Sequence, residues 1–361
     1  MAYTTINDPS EHFQVKTYTA SGGSSHAIVC DGNSDMGTDW FWAKKTSGGG
    51  DWFGADSNRG TNTTNHWGAT RGILTGSAGD YMTSFDSDGV TTGGSGLAND
   101  NGDDFVSYHW HCNDGTTTSN SDGNVTCNVQ VNSDIGFSII GPFTSVASGD
   151  TNVGHGLGAK PGLFFVRGGQ TGAGFFNNLP SYVYGDNWYM YMDFSQAVGG
   201  LSPFHADTDT IDIRTNDFLG FSQSGCMAYA FLETPGFSRF GSYRGTGNVN
   251  GSFVYTGFKP ALVIMKSVNA GSVANYDHKR PGFNDAFPFI RHNDNGGDNH
   301  GTISGDDIEF YANGFKLINS DNTLNQYNIN YVFMAFASLP FVGSEGACAP
   351  AGIPGFVGHG T

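Results

Sequence analysis

Short apolar runs alternate with clusters of Gly, Ser, Asn and Asp along the whole chain, and nowhere is an apolar stripe of helical period sustained. Runs of four to eight residues rich in Val, Ile, Phe, Tyr and Trp between turn residues are the pattern of β-strands. The runs also recur. Three blocks return in the same order three times, in copies of roughly 100 to 125 residues, the signature of an internally repeated architecture. The first block opens with Phe and a second aromatic residue five or six positions on: Phe13 and Tyr18, Phe137 and Phe143, Phe237 and Tyr243. The second is an apolar run closing on a basic residue: Leu163 to Arg167 after Gly158-Ala159-Lys160-Pro161, Ala261 to Lys266 after Gly257-Phe258-Lys259-Pro260, and a form without the proline, Trp40 to Lys44. Runs this apolar predict strands buried on both faces. The third is an aromatic closing strand: Phe105 to Trp110, Cys226 to Phe231 and Tyr331 to Phe336. A hairpin precedes it, at Asp86-Ser87-Asp88-Gly89 in the first copy and at Asn313-Gly314 in the third, where Asn-Gly predicts a type I′ turn.

These blocks predict an all-β chain of three tandem β-sandwich or jelly-roll-like repeats with Gly/Asn/Asp-rich loops. The expected layout is an N-terminal arm over 1–12, repeats over 13–112, 136–234 and 235–342, a linker over 113–135 with one strand near Val125 to Val131, and an extended C-terminal arm over 343–361. Repetition fixes the unit and leaves its arrangement open: either a string of sandwiches or one assembly packed about a pseudo-threefold axis.

Composition sharpens the fold class. Glycine supplies 55 of 361 residues, whereas glutamate appears only at Glu11, Glu233, Glu309 and Glu345, so strong helix formers are scarce and helical bundles are excluded. The 14% of aromatic residues is too much apolar anchoring for a disordered chain. Sixteen basic against 33 acidic residues give a formal charge of -17, which repels phosphate backbones, so no nucleic-acid partner is expected. No apolar run is long enough to insert in a membrane, and Met1 to Asp8 has neither the basic nor the apolar stretch of a signal peptide, so neither membrane insertion nor conventional secretion is expected. Five cysteines at irregular spacing, without a C-x-x-C pair, point to reduced, buried thiols.

Catalytic signatures are missing. A glycosidase needs two carboxylates flanking the scissile bond, but the four Glu are scattered, and Asp pairs such as Asp103-Asp104 and Asp306-Asp307 lie in turn-forming surroundings. No nucleophile elbow, phosphate loop or zinc-protease motif occurs, so no enzyme and no catalytic residue are expected. His109 and His111 alternate beside Cys112 without a third ligand. Two acidic loops, carrying Asp100, Asp103 and Asp104 and then Asp294 and Asp298, offer oxygens of the kind Ca²⁺ accepts, without the EF-hand order or its closing Glu; no other cofactor is indicated. Three tryptophans in polar loops are candidates for stacking on sugar rings: Asp51-Trp52, Asn65-His66-Trp67 and Asp186-Asn187-Trp188. Core packing would explain each equally well.

With the blocks laid out, the chain resembles a family of repeat-built virion structural proteins of tailed bacteriophages, common in marine phages of cyanobacteria and related hosts. The carriers are Ala2 to Gln14, Ser84-Phe85-Asp86-Ser87-Asp88-Gly89, Gly154-His155-Gly156-Leu157-Gly158 leading to Pro161, Gly236-Phe237-Ser238, Val254 to Pro260, Gly314-Phe315-Lys316-Leu317 and Met334-Ala335-Phe336-Ala337. The resemblance covers most of residues 1–342 and implies lectin-like β-sandwich repeats on the virion exterior, in a tail fibre or a head decoration, with no catalytic residues attached. The chain departs from the pattern at Met36-Gly37-Thr38-Asp39, which replaces the first Gly-x-x-Pro block, and in its Cys-containing C-terminal segment. The expected role is a surface appendage that contacts other virion proteins, copies of itself (as a trimer, on the resemblance) and host-surface glycan. The alternatives are a capsid cement protein and, less favoured, a polysaccharide-degrading enzyme.

Overall fold

The computed structural model describes residues 4–31, 36–66, 73–75, 79–168, 172–176, 188–191, 199–200, 205–214, 222–269, 271, 273–280, 289–291, 296–297, 308–320 and 323–340. Within them the regular structure is antiparallel strand, apart from a 3₁₀ turn at Pro9–Glu11 and one helical turn at Gly96–Asn99, and turns and irregular loops join the strands.

Each stretch of chain that carries the three blocks forms one large and one small sheet, with the same strand order each time. In the first, opening strand Phe13–Thr19 pairs with closing strand Asp104–Trp110, which pairs with Trp40–Lys45 and then outward to Phe53–Asp56. The second repeats this with Phe137–Phe143, Cys226–Phe231, Leu163–Arg167 and Gly172–Phe176. The third uses Ser238–Arg244, Asn330–Pro340, Phe258–Ser267 and Val273–Asp277. The small sheets are also alike: Ser25–Val29 with Gly89–Gly93 and Met82–Asp86; Thr151–Gly154 with Thr210–Ile213 and His205–Ala206; Phe253–Tyr255 with Gly314–Leu317 and Ile308–Tyr311.

Alternation along the strands explains why the inner and closing strands are apolar at nearly every position. In Trp40–Lys45, Phe41 and Ala43 face the first repeat's own small sheet, with Ile28, Met82 and Val90. Trp40 and Trp42 face the other way, into a central core shared by all three large sheets. The same division separates Phe164 and Val166 from Leu163 and Phe165, and Val263 and Met265 from Leu262 and Ile264. Trp40 stacks on Tyr229 at 4.3 Å, and Phe336 lies 5.5 Å from Trp110 and 5.3 Å from Phe231, so aromatic residues of three repeats meet at one centre. Each such side chain is worth about 1.5–3 kcal/mol when withdrawn from water. The repeats are therefore arranged about a pseudo-threefold centre, not strung out as beads.

The basic residues that close the second block are buried too. Lys44, Arg167 and Lys266 sit opposite Val106, Met227 and Val332 at matching register positions, each at most 1% exposed. By period two they share the face of Trp42, Phe165 and Ile264.

Three local expectations change. The segment expected as an N-terminal arm folds back where it is described: Ile6 is in the central core, and the Thr4 hydroxyl donates to the Pro235 carbonyl at the joint between the second and third repeats. The strand expected near Val125 to Val131 forms as Cys127–Asn132, but the segment is more than a linker, since this strand and Thr118–Asn120 extend the second repeat's large sheet. The third hairpin forms, but its loop is Ala312-Asn313, Gly314 is already in the strand, and neither Asn313 nor Gly314 has positive φ, so the turn is not type I′. Gly314 is required for space instead, since a Cβ there would meet the Val254 carbonyl oxygen at 2.2 Å.

Candidate functional site

The residues singled out in the sequence scatter. Trp52 is 1% exposed, its indole Nε1 donating to the Arg291 carbonyl at 3.0 Å and its ring stacked 5.9 Å from Tyr108. It is therefore a core residue and not a sugar platform, because it faces the shared centre where the first and third repeats touch. Asp51, beside it, is half-buried. Asn65 and His66 lie in strand Thr63–His66, opposite Gly54 and Phe53. Trp188 opens strand Trp188–Tyr191, opposite Phe176 and Gly200. Trp67, Asp186, Asn187, Asp294 and Asp298 lie outside the described residues, as does the segment 343–361.

The first acidic loop already holds a cation of its own. Lys45 Nζ is 3.2 Å from Asp100 Oδ2 and is bonded to Asp103. Asp103 also accepts from Ser47 Oγ at 2.8 Å, and Asp104 from Thr19 Oγ1 at 2.6 Å. Its bond to Lys45, ahead of the one to Ser47, holds the Asp103 carboxyl below its usual range. Oxygens committed to an ammonium and two hydroxyls do not form a calcium cage, which corrects the calcium reading of Asp100, Asp103 and Asp104. His109, His111 and Cys112 do not converge as ligands either. His109 is fully buried between Thr38 Oγ1 at 3.0 Å and Ser107 Oγ at 2.9 Å, and burial pushes its imidazole down to about 3. Cys112 Sγ donates to the Phe137 carbonyl.

His111 instead borders a cleft of about 620 Å³ lined by His12, Thr38, Asp39, Asp86 and Asp114. Asp39, His111 and Asp114 are the one set of ligand-type side chains brought within 4.8 Å of one another among the described residues. Asp39 has little left for a metal. Its two oxygens accept from the backbone N–H groups of Cys112 at 2.7 Å, Asn113 at 2.9 Å, Asp114 at 3.0 Å and Gly115 at 2.8 Å, and from Ser57 Oγ at 2.7 Å. Converging N–H dipoles make a nest for an anion, and here the chain's own carboxylate fills it. His111 Nδ1 lies 3.0 Å from the Gly37 carbonyl. His12 stands 6.4 Å from the His111 ring, and burial, then the neighbouring imidazole, lowers its proton affinity. The cluster is a polar knot tying the chain after the first closing strand to the start of the inner strand.

A second polar arrangement, not foreseen in the sequence, crosses between repeats. Asp56 sits opposite Trp40, and Asp277 occupies the matching position opposite Leu262. Each is followed three residues on by an arginine. Arg59 Nε donates to Asp56 at 2.6 Å and Arg280 Nε to Asp277 at 2.5 Å, both ion pairs being buried. Each carboxylate also accepts from a tyrosine of another repeat: Asp56 from Tyr229 at 2.8 Å, Asp277 from Tyr108 at 3.1 Å. Burial, first, keeps the Tyr229 phenol protonated well past its usual range. The signal was legible as a D-x-x-R that starts on the last residue of the strand after the inner strand in two repeats, with Tyr at one fixed position in two of the closing strands.

A family model described as a domain of unknown function (DUF7483) matches residues 8–340. No curated protein and no solved structure matches the chain at a significant level.

Proposed function

We propose that this chain, which belongs to the DUF7483 family, is a structural contact protein: a surface appendage of a tailed-bacteriophage virion, of the tail-fibre kind, that joins other virion proteins and touches host-surface glycan. The observation that carries this reading is where the interior polar chemistry goes. The tyrosines that reach the buried pairs Asp56–Arg59 and Asp277–Arg280 cross from one repeat to another, and the Asp39 nest ties the first repeat to the segment that follows it. Carboxylates committed in this way stiffen a scaffold and are not free to move protons. The reading also draws on the sequence resemblance to repeat-built virion proteins. In it the three repeats form a rigid body, the loops between strands face outward, and copies associate with closed symmetry, as a trimer.

Immunogold labelling of intact particles with antibody against this chain tests the reading. Gold at tail tips is expected; gold confined to the head would move the protein to capsid decoration, and unlabelled particles would overturn the virion assignment. Incubating the protein with host polysaccharide is expected to leave the chain-length profile unchanged, and shortening would make it a depolymerase.

A further inference from the structure

The three small sheets occupy equivalent places, so their outward-facing positions can be compared strand by strand. In the third repeat Tyr255 and Tyr311 flank Gly314 from the two neighbouring strands, and Phe253 lies opposite Lys316, which is opposite Glu309. The same register in the first repeat gives Val29 and Asp86 about Gly89, with Ala27 opposite Thr91. In the second it gives Gly154 opposite Thr210, Asn152 opposite Asp212, and Asp207, whose N–H bonds back to the Thr210 carbonyl. The fold thus does without rings at these positions twice. Where they do occur they are held in water: Phe253 is 46% exposed, Tyr255 51% and Tyr311 40%, with the Phe253 and Tyr311 rings edge to face at 5.8 Å.

A groove of about 340 Å³ runs beside them, between the edge strands Ser238–Arg244 and Phe253–Tyr255. Phe253 and Tyr255 border it together with Glu233 and Arg239. Glu233 is fixed by accepting from the Phe240 N–H at 3.0 Å, and its other oxygen lies 3.6 Å from Arg239, which is half-exposed. Aromatic rings beside a positioned carboxylate and guanidinium combine an apolar face with hydrogen-bonding groups at its rim.

We propose that this face of the third repeat binds a neutral saccharide, one sugar ring lying on Tyr255 and Phe253 and its hydroxyls bonding Glu233 and Arg239. The inference deepens the contact role proposed above and rests on it, moving the glycan contact from the loop tryptophans to this face. The chemistry selects the class. Half-wet rings beside a shallow groove suit the C–H face of a pyranose, which keeps its hydroxyls solvated, better than an apolar side chain that needs a closed pocket. Charge selects neutrality: Glu233 is balanced by Arg239, Glu309 and Lys316 stand opposite each other on neighbouring strands and add no net charge, and the net charge of -17 repels acidic polysaccharides.

The test is affinity electrophoresis of the full chain through native gels cast with laminarin, dextran or galactomannan, or with no polysaccharide. Retardation in at least one neutral polysaccharide is expected, with the dissociation constant rising about tenfold in Tyr255→Ala and in Phe253→Ala. Val29→Ala, at the position of the first repeat that matches Tyr255 and is likewise exposed, should bind as wild type. Both rings are exposed, so the variants should melt with the wild type; calorimetry checks this. Migration unaltered in all three polysaccharides, or equal retardation of the Tyr255→Ala variant, would overturn the proposal. So would a Tyr255→Ala change that dissociates an oligomer in sedimentation without saccharide, since the face would then join copies of the chain. Particle labelling is independent of these rings: labelled particles without saccharide binding reject this inference alone, and binding with unlabelled particles rejects the virion reading alone.

Discussion

The Tyr229 hydroxyl of the second repeat donates to the Asp56 carboxylate of the first at 2.8 Å, and Asp56 is simultaneously held by Arg59. The same construction joins Tyr108 of the first repeat to Asp277 and Arg280 of the third. At the third joint the tyrosine position of the closing strand holds Met334, and the position matching Asp56 and Asp277 holds Phe176, opposite Leu163. Among the described residues the pseudo-threefold molecule thus has this polar clasp at two of its joints. Polar pairs in a dry interface fix which surface meets which, because a wrong partner leaves the charge unpaired.

Removing the phenol without its ring separates the clasp from the packing. Tyr229→Phe should destabilise the protein by about 1.5–3 kcal/mol, the range for a buried hydrogen bond to a charged group. Asp56→Ala should cost more, about 3–5 kcal/mol, because it leaves the Arg59 guanidinium buried without its carboxylate. Replacing both charges, as Asp56→Leu with Arg59→Met, should recover part of that loss. Urea midpoints for the four proteins decide it, and a double variant weaker than Asp56→Ala would show that the ion pair is worth more than its desolvation.

Acid should weaken the fold before its carboxylates protonate. Burial lowers His109 to about 3 and His278 to about 4, against an ordinary value of 6.5. Between those limits the unfolded chain takes up protons that the folded chain refuses, so stability is complete above pH 6.5 and falls as the pH drops towards 3. Each histidine contributes a slope of up to about 1.4 kcal/mol per pH unit in that window. Unfolding free energies from pH 7 to pH 4 should decline less steeply in His109→Gln, and parallel curves would rule His109 out as a source.

How much of this was legible in the sequence depends on which face of a strand is asked about. The inner strands could be read as buried on both sides because Trp40, Phe41, Trp42 and Ala43 are all apolar, and they are. What lies on each side could not be read, since period two separates Trp40 from Phe41 without saying that one belongs to a core shared by three repeats. That is why Trp52 looked like a loop residue: the Arg291 carbonyl that binds it is 239 positions away. Asp103 looked like a calcium ligand for the same reason, its ammonium partner Lys45 lying in another strand. Spacing rules report local geometry, and the clasps and the Asp39 nest are made by long-range contacts.

The thiols give a chemical check on the packing. Cys30, Cys112, Cys127 and Cys226 are free and buried, and burial pushes the thiols of Cys30, Cys127 and Cys226 up to about 11. Thiolate is the nucleophile, so iodoacetamide at pH 8 should leave these four unmodified in the native protein and label them in urea. Peptide mapping reads each site separately, and rapid native labelling at Cys127, the least buried, would show that its sheet opens.

A shared core makes one cooperative unit of the three repeats. Trp40 touches Trp110 of its own repeat and Phe137, Phe165, Tyr229 and Phe231 of the second, while Phe336 of the third closes on Trp110 and Phe231. A repeat cut out alone would expose that face, so calorimetry of the whole chain should show a single transition with matching calorimetric and van't Hoff enthalpies. Trp40→Ala should lower the stability of the entire protein by about 3–5 kcal/mol and leave the transition single. Three separable transitions, or a loss confined to the first repeat, would mean that the repeats fold as independent sandwiches and that the central core only docks them.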